Sequence, residues 1–129
     1  MDYDEDCTFD VTILKGKIET HVTFLGSVDT WQTFAKHLLR YPATVNDKAA
    51  FEVRGGPCQD YFCLNAYCYD AAGHTAVQVI TDNNEDIPGR CRMEFSIRAE
   101  AASINNLGRL LLDWQVENDS EIIWQAQTS

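Results

Sequence analysis

The chain has 129 residues, enough for one domain with its own core, and its 45% hydrophobic content excludes a disordered polymer. No apolar run approaches the roughly 20 residues that a membrane-spanning helix needs. The net charge of −10 argues against nucleic acid and anionic membranes as partners, because both are bound through lysine and arginine.

The chain begins with an acidic leader, residues 1–6, which we expect to be disordered. A secretory signal peptide has a basic start followed by an apolar stretch, and this leader has neither. We therefore expect a cytoplasmic protein in which residues 1–129 form a single domain.

Two strands follow the leader. Residues 7–25 contain two stretches that alternate apolar and polar side chains, which is typical of strands with one buried face. A two-residue turn at Lys15-Gly16 joins them in this interpretation and pairs Ile13 with Ile18. The pattern predicts an antiparallel hairpin with one apolar face.

The first helix follows a strand break at Gly26, and either Ser27 or Asp29 is suited to cap its N-terminus. Tyr41 precedes a proline and therefore ends the helix. His37 lies near the C-terminal end, where the helix dipole favours a cation, and we assign it no catalytic role. The apolar residues at helical spacing, which we expect to be buried, are Trp31, Phe34, Ala35 and Leu38.

A third strand, residues 49–53, precedes a central hairpin, residues 61–81. Its loop runs from Asp70 to Gly73, because aspartate hydrogen-bonds turn backbone and glycine tolerates positive φ. This loop sets the register, since a slip by one residue would turn the apolar face to solvent. The apolar face carries Phe62, Leu64, Ala66, Val77 and Val79. The opposite face carries Tyr61, Asn65, Tyr67, Tyr69, His74 and Gln78, with Arg92 or Arg98 nearby if the next strand is adjacent.

A polar loop, a strand and a helix follow. The loop, residues 82–89, lacks the turn glycine and closing glutamate of an EF-hand, so we expect no calcium site. Residues 91–97 alternate as a strand. From residue 101 to 114 the apolar period is helical, and Gly108 indicates close packing of this helix on the sheet. Residues 121–125 are a candidate for a final strand.

The predicted elements follow the order ββαββββα, with a final β as a candidate. Short loops join most strands, so neighbouring strands should be antiparallel. We predict an α+β domain: a largely antiparallel sheet of six or seven strands with two helices packed on one face, which their apolar stripes cover.

Sequence motifs for catalysis are absent. The five cysteines show no C-x-x-C or zinc spacing. Cys68 is close in sequence to His74, but the alternation places the two side chains on opposite faces, so we expect no Cys–His nucleophile. The motifs of serine hydrolases, P-loops and dinucleotide sites are missing as well. We predict no catalytic activity, no cofactor and no metal site.

One part of the sequence carries a family resemblance. The residues DAAGH at positions 70–74 lead into an alternating stretch at 75–79, and a strand at 93–97 runs into the helix at 101–114. In these features the chain resembles small, uncharacterised bacterial domains. In size, charge and layout it is similar to the acidic immunity proteins that neutralise bacterial toxins. The resemblance covers the second half and implies no catalytic residues, and the cysteine-rich central strand departs from it.

The leading hypothesis is a non-enzymatic protein-binding domain, an immunity-type inhibitor of a cationic bacterial toxin. Carboxylates would steer the basic partner and aromatic side chains would anchor it. The residues assigned to this binding are Tyr61, Tyr67, Tyr69, His74, Asp82, Glu85, Asp86, Asp113, Glu117, Asp119 and Glu121. The alternative is a small enzyme or ligand-binding domain that uses the tyrosine-bearing face with His74. A homodimer through that face is a third option, and packing across strands explains its tyrosines equally well.

Overall fold

The structure, a computed structural model, describes residues 7–55 and 60–128. The predicted α+β class is confirmed, with six strands and two helices in the predicted order. The elements are β1 (Cys7–Lys15), β2 (Ile18–Gly26), α1 (Gln32–Leu39), β3 (Ala49–Val53), β4 (Tyr61–Cys68), β5 (Thr75–Asp82), β6 (Arg92–Arg98) and α2 (Ala101–Asp113). The acidic leader and Cys58 lie outside the described residues. Neither helix of the described part is long and apolar enough to cross a membrane.

The strands form two antiparallel sheets where a single sheet was expected. β1 and β2 make a two-stranded ribbon, and the other strands form a sheet in the order β3-β4-β5-β6. The ribbon packs on the buried face of that sheet, where the rings of Phe24 and Phe62 stack with centroids 6.0 Å apart. In the same layer the hydroxyls of Thr20 and Thr81 lie 3.3 Å apart. Alternation identifies a buried face, but it does not distinguish edge-to-edge pairing from packing as a second layer.

The first hairpin turns at Gly16-Lys17, so its register differs by two residues from the predicted one. Ile13 pairs with Thr20 and not with Ile18. The reason is that Gly16 takes a φ of 58°, and favoured two-residue hairpin turns need positive φ at their first position. A shift of two residues leaves each side chain on its predicted face, so the apolar face is the expected one.

The central hairpin has the predicted register over all of β4 and β5. Asp70 Oδ1 accepts hydrogen bonds from the backbone N–H groups of Ala72 at 3.0 Å and His74 at 3.1 Å. Gly73 takes the expected positive φ, 87°. The loop therefore closes through the chemistry that its sequence indicated.

α1 begins at Gln32, after both residues that were predicted to cap it. Ser27 Oγ accepts from the N–H of Asp29 at 3.2 Å, so it stabilises the turn before the helix. The predicted stripe is confirmed, because Trp31, Phe34, Ala35 and Leu38 are all buried. His37 Nε2 lies 3.1 Å from Asp47 Oδ1, which ties the helix to the following loop.

α2 packs closely on α1 at its glycine, whereas the sequence suggested close packing on the sheet. A Cβ at Gly108 would lie 2.8 Å from the Cβ of Leu38. Asn105 Nδ2 donates to the carbonyl oxygens of Leu38 and Tyr41, each at 2.7 Å, and so binds the C-terminal end of α1. Two helices that cover the same core also contact each other, and the glycine lies on that contact.

Residues 121–125, the candidate final strand, join neither sheet. Trp124 Nε1 donates to the carbonyl oxygen of Ser103 in α2 at 2.9 Å. The N–H of Gln127 donates to Ser103 Oγ at 3.0 Å, and the N–H of Glu100 donates to the carbonyl of Gln127 at 2.8 Å. The alternation of this segment therefore reflects one side lying on α2.

Candidate functional site

The face of the four-stranded sheet that turns away from the core, here called the outer face, carries the tyrosines. The register places the six predicted residues together on it: Tyr61, Asn65, Tyr67, Tyr69, His74 and Gln78. β6 lies beside β5 and adds Arg92 and Arg98 to this face. Partner binding by the outer face remains a prediction.

Two tyrosine hydroxyls of the outer face are bound within the sheet. Tyr61 Oη donates to the carboxylate of Glu52 at 2.6 Å, and this carboxylate raises the pKa of Tyr61 well above its usual range. The hydroxyls of Tyr67 and Ser96 are 2.8 Å apart. Side-chain pairing across strands therefore accounts for Tyr61 and Tyr67 without an external partner.

The loop end of the central hairpin has a different arrangement. Tyr69 is 43% exposed, its ring stacks on His74 with centroids 6.0 Å apart, and the guanidinium of Arg98 lies 5.8 Å from its ring centroid. His74 Nδ1 is 2.7 Å from the carboxylate of Asp70, and this contact lowers the pKa of Asp70. An oriented imidazole thus lies beside an aromatic ring and a cation at the surface.

The cysteines near this site do not form a nucleophile with His74. Cys68 lies on the core side of β4, and its Sγ is 3.7 Å from Tyr41 Oη. Cys63 belongs to the outer face, and burial raises the pKa of its thiol, which disfavours the reactive thiolate. Within residues 7–55 and 60–128, no three His, Cys, Asp or Glu side chains converge as metal ligands.

Asp82, which the sequence assigned to partner binding, is a buried carboxylate with 3% of its side chain exposed. Its Oδ1 accepts from the N–H of Asn84 at 2.8 Å, and its Oδ2 accepts from Arg90 at 2.6 Å and Arg92 at 3.2 Å. The Asn84 amide and the two guanidinium groups lower the pKa of Asp82 despite its burial. The charge of Asp82 is therefore neutralised within the chain.

The substitution Asp82→Asn should lower the thermal unfolding temperature at pH 7 and lose this effect in acid. A carboxyl with a lowered folded-state pKa stabilises the protein above the usual aspartate pKa of about 3.9, and this stabilisation disappears as pH falls through the folded-state value. Calorimetry of both proteins should show that the difference between their unfolding temperatures disappears below about pH 4. Glu85→Gln, an exposed control with the same charge change, should show no gap at pH 7. A gap of constant size down to pH 2 would contradict the charge-based explanation.

A second set of carboxylates surrounds a turn after α2. Ser120 Oγ donates to the carbonyl of Glu117 at 2.7 Å and accepts from the Glu117 N–H and the Trp114 indole N–H, both at 3.1 Å. The exposed carboxylates are Asp113, Glu117, Asp119 and Glu121. This segment, residues 113–121, is here called the acidic turn. Its hydrogen bonds hold the backbone that presents these four side chains.

A shallow depression of about 470 Å³ lies between α2 and the C-terminal segment. Polar side chains such as Glu100, Asn106 and Gln125 line it together with the apolar Ala102 and Ile123. The sequence did not indicate this depression, because residues 121–125 were expected to lie in the sheet. Its open shape differs from the enclosed pockets that hold small molecules.

No family model, curated protein or solved structure matches the chain. Internal hydrogen bonds occupy much of the outer face, whereas the acidic turn and the tip of the loop after β5 present carboxylates to solvent. The carboxylates of the acidic turn and the loop tip are therefore more accessible to a partner than the hydrogen-bonded tyrosines of the outer face.

Proposed function

We propose that the chain is a non-enzymatic protein-binding domain, an immunity-type inhibitor that neutralises a cationic bacterial toxin in the cytoplasm. One observation carries the proposal: six of the carboxylates that the sequence assigned to partner binding are exposed and make no ion pair within the described part of the chain. They are Glu85, Asp86, Asp113, Glu117, Asp119 and Glu121. Asp82 is left out of the proposed contact because two arginines already neutralise it.

Uncompensated carboxylates support a basic partner for a physical reason. Like charges held close together repel, and a positive surface that meets them converts the repulsion into attraction. The net charge of −10 gives the whole molecule a negative electrostatic potential, which would accelerate its encounter with a basic protein. Such steering weakens as salt shortens the Debye length, from about 30 Å at 0.01 M to about 8 Å at physiological ionic strength.

The test begins with the genes beside the one that encodes this chain, since an inhibitor and its toxin are expected to be encoded together. The most basic product of those genes should bind the purified chain, and raising NaCl from 50 to 300 mM should weaken the complex at least about tenfold. A neighbourhood without a basic product, or a complex indifferent to salt, would count against the proposal.

Neutralising three of the four carboxylates of the acidic turn should slow association with that partner by about three- to tenfold, because surface charges act mainly on the on-rate. The variant combines Glu117→Gln, Asp119→Asn and Glu121→Gln. Asparagine suits the φ of 62° at position 119 because it tolerates the left-handed region. Equal slowing by a charge-matched control, Asp10→Asn with Glu19→Gln and Asp29→Asn, would show that net charge alone is involved.

A second candidate function rests on the loop end of the central hairpin. Tyr69, His74 and Arg98 present an aromatic ring, an imidazole and a guanidinium at one point of the outer face, a set suited to a small planar anion. A thermal-shift screen of metabolites would favour this function if one compound stabilised the chain and His74→Ala abolished the stabilisation. Absence of any such compound would leave the protein-binding proposal as the one to pursue.

A further inference from the structure

The loop between β5 and β6, residues 83–91, exposes an apolar side chain at its tip. Ile87 is 85% exposed, the largest exposed fraction among the big hydrophobic residues of the described part, ahead of Ile123 at 73%. The side chain packs on almost nothing in the folded chain, so core formation does not explain an isoleucine there. An apolar group at a loop tip gains free energy when a partner covers it.

The loop that presents Ile87 is held by its own hydrogen bonds. Asn83 Oδ1 accepts from the N–H groups of Glu85 at 3.2 Å and Cys91 at 2.9 Å, and Asn83 Nδ2 donates to the carbonyl of Gly89 at 3.0 Å. One side chain therefore joins both arms of the loop to its tip. The N–H of Gly89 donates in turn to the carbonyl of Asp86 at 2.8 Å.

The base of the loop is held by ion pairs between one buried carboxylate and two half-exposed arginines. Asp82, the last residue of β5, binds Arg90 and Arg92 on the returning arm at 2.6 and 3.2 Å. A loop held at its base and along its arms loses little conformational entropy when it binds, so more of the contact energy appears as affinity. The loop is thus pre-organised.

The charge at the tip is negative. Glu85 and Asp86 precede Ile87, are exposed and make no ion pair within the described residues, whereas the positive charge of Arg90 is matched by Asp82. An apolar side chain beside two carboxylates is complementary to an apolar pocket with lysine or arginine at its rim. A small buried anchor surrounded by charged contacts is the usual make-up of a binding hot spot.

We propose that Ile87 is the anchor of the interface: it enters an apolar pocket on the basic partner, and Glu85 and Asp86 bind cations at the rim of that pocket. This inference rests on the proposed function and names its contact residues. The acidic turn then acts on encounter, whereas Ile87 acts on the lifetime of the complex.

The experiment measures association and dissociation rates with the basic neighbouring gene product as the immobilised probe. Ile87→Ser should raise the dissociation rate by about tenfold or more and leave the association rate within about twofold. Ile87→Leu should restore most of the lifetime. Ile123→Ser, which removes the next most exposed isoleucine, is the matched control and should leave both rates unchanged.

The outcomes separate this inference from the function on which it rests. A further variant, Ile87→Ala, is measured beside Ile87→Ser. If both dissociate at the wild-type rate while the acidic-turn variant associates more slowly, Ile87 is not the anchor and the proposed function stands. No salt-sensitive binding by the wild-type chain would overturn both. Because Ile87 packs on so little, both variants should unfold at the wild-type temperature, which calorimetry verifies.

Discussion

Phe62→Ala should lower the free energy of unfolding by about 3–5 kcal/mol, the range for removing a buried aromatic side chain. Phe62 is fully buried at 0% exposure, and its ring lies 6.0 Å from that of Phe24 and 6.3 Å from that of Phe51. It therefore connects β4 both to the ribbon above the sheet and to the neighbouring strand β3. Its loss removes apolar contact and leaves a cavity between the two layers.

Urea denaturation followed by tryptophan fluorescence measures this loss. Tyr69→Ala is the control, since it removes an aromatic side chain just beyond the same strand at a position that is 43% exposed. That control should cost less than about 1.5 kcal/mol, because a half-exposed ring buries less area than Phe62 and its removal leaves no enclosed cavity. A Phe62→Ala cost no larger than the control cost would mean that the ribbon does not depend on this contact.

The central hairpin shows what local sequence can predict. Alternation on both strands, the aspartate at position 70 and the glycine at position 73 all specify the same register, and the structure has it. In the first hairpin, only the alternation and one glycine carry information about the register. Two registers that differ by two residues present the same faces, and the φ of 58° at Gly16 decides between them.

The parts that were not predicted depend on contacts between distant residues. The ribbon meets the sheet through pairs such as Thr20 and Thr81, which are 61 positions apart, and no local pattern records such a pair. Trp124 likewise binds Ser103, and this contact takes residues 121–125 away from the sheet. Tertiary packing determines where the ribbon and the C-terminal segment lie, and the alternation of apolar residues does not specify it.

The candidate site was predicted in the same uneven way. The outer face follows from the period of two along β4 and β5, so the position of its tyrosines could be predicted. The burial of Asp82 could not, because it depends on Arg90 and Arg92 folding back over the end of β5. Nothing in the sequence distinguishes Ile87 from other loop residues, since sequence does not reveal which loops are held by their own hydrogen bonds.

Gly108→Ala should lower the free energy of unfolding by about 1–3 kcal/mol, although alanine is the better helix former by about 1 kcal/mol. The added Cβ would lie 2.8 Å from the Cβ of Leu38, 2.9 Å from the carbonyl oxygen of Ala35 and 3.0 Å from the N of Leu39. Two of these atoms belong to the α1 backbone and the third adjoins it, so no side-chain rotation relieves the overlap. The helices must move apart, which opens the contact around buried Leu38.

The sign of the change decides between two explanations of this glycine. If helix propensity dominated, Gly108→Ala would stabilise the chain, and the close contact between α1 and α2 would have no energetic weight. Asn106→Ala, at an exposed position of the same helix, isolates propensity and should stabilise by a few tenths of a kcal/mol. Gly108→Val should cost more than Gly108→Ala, because it adds volume at the same contact and a β-branch that helices disfavour. Urea denaturation of the three variants measures both the effect of helix propensity and the cost of overlap with α1. If the close approach of the helices matters, the cost at position 108 must rise with side-chain volume.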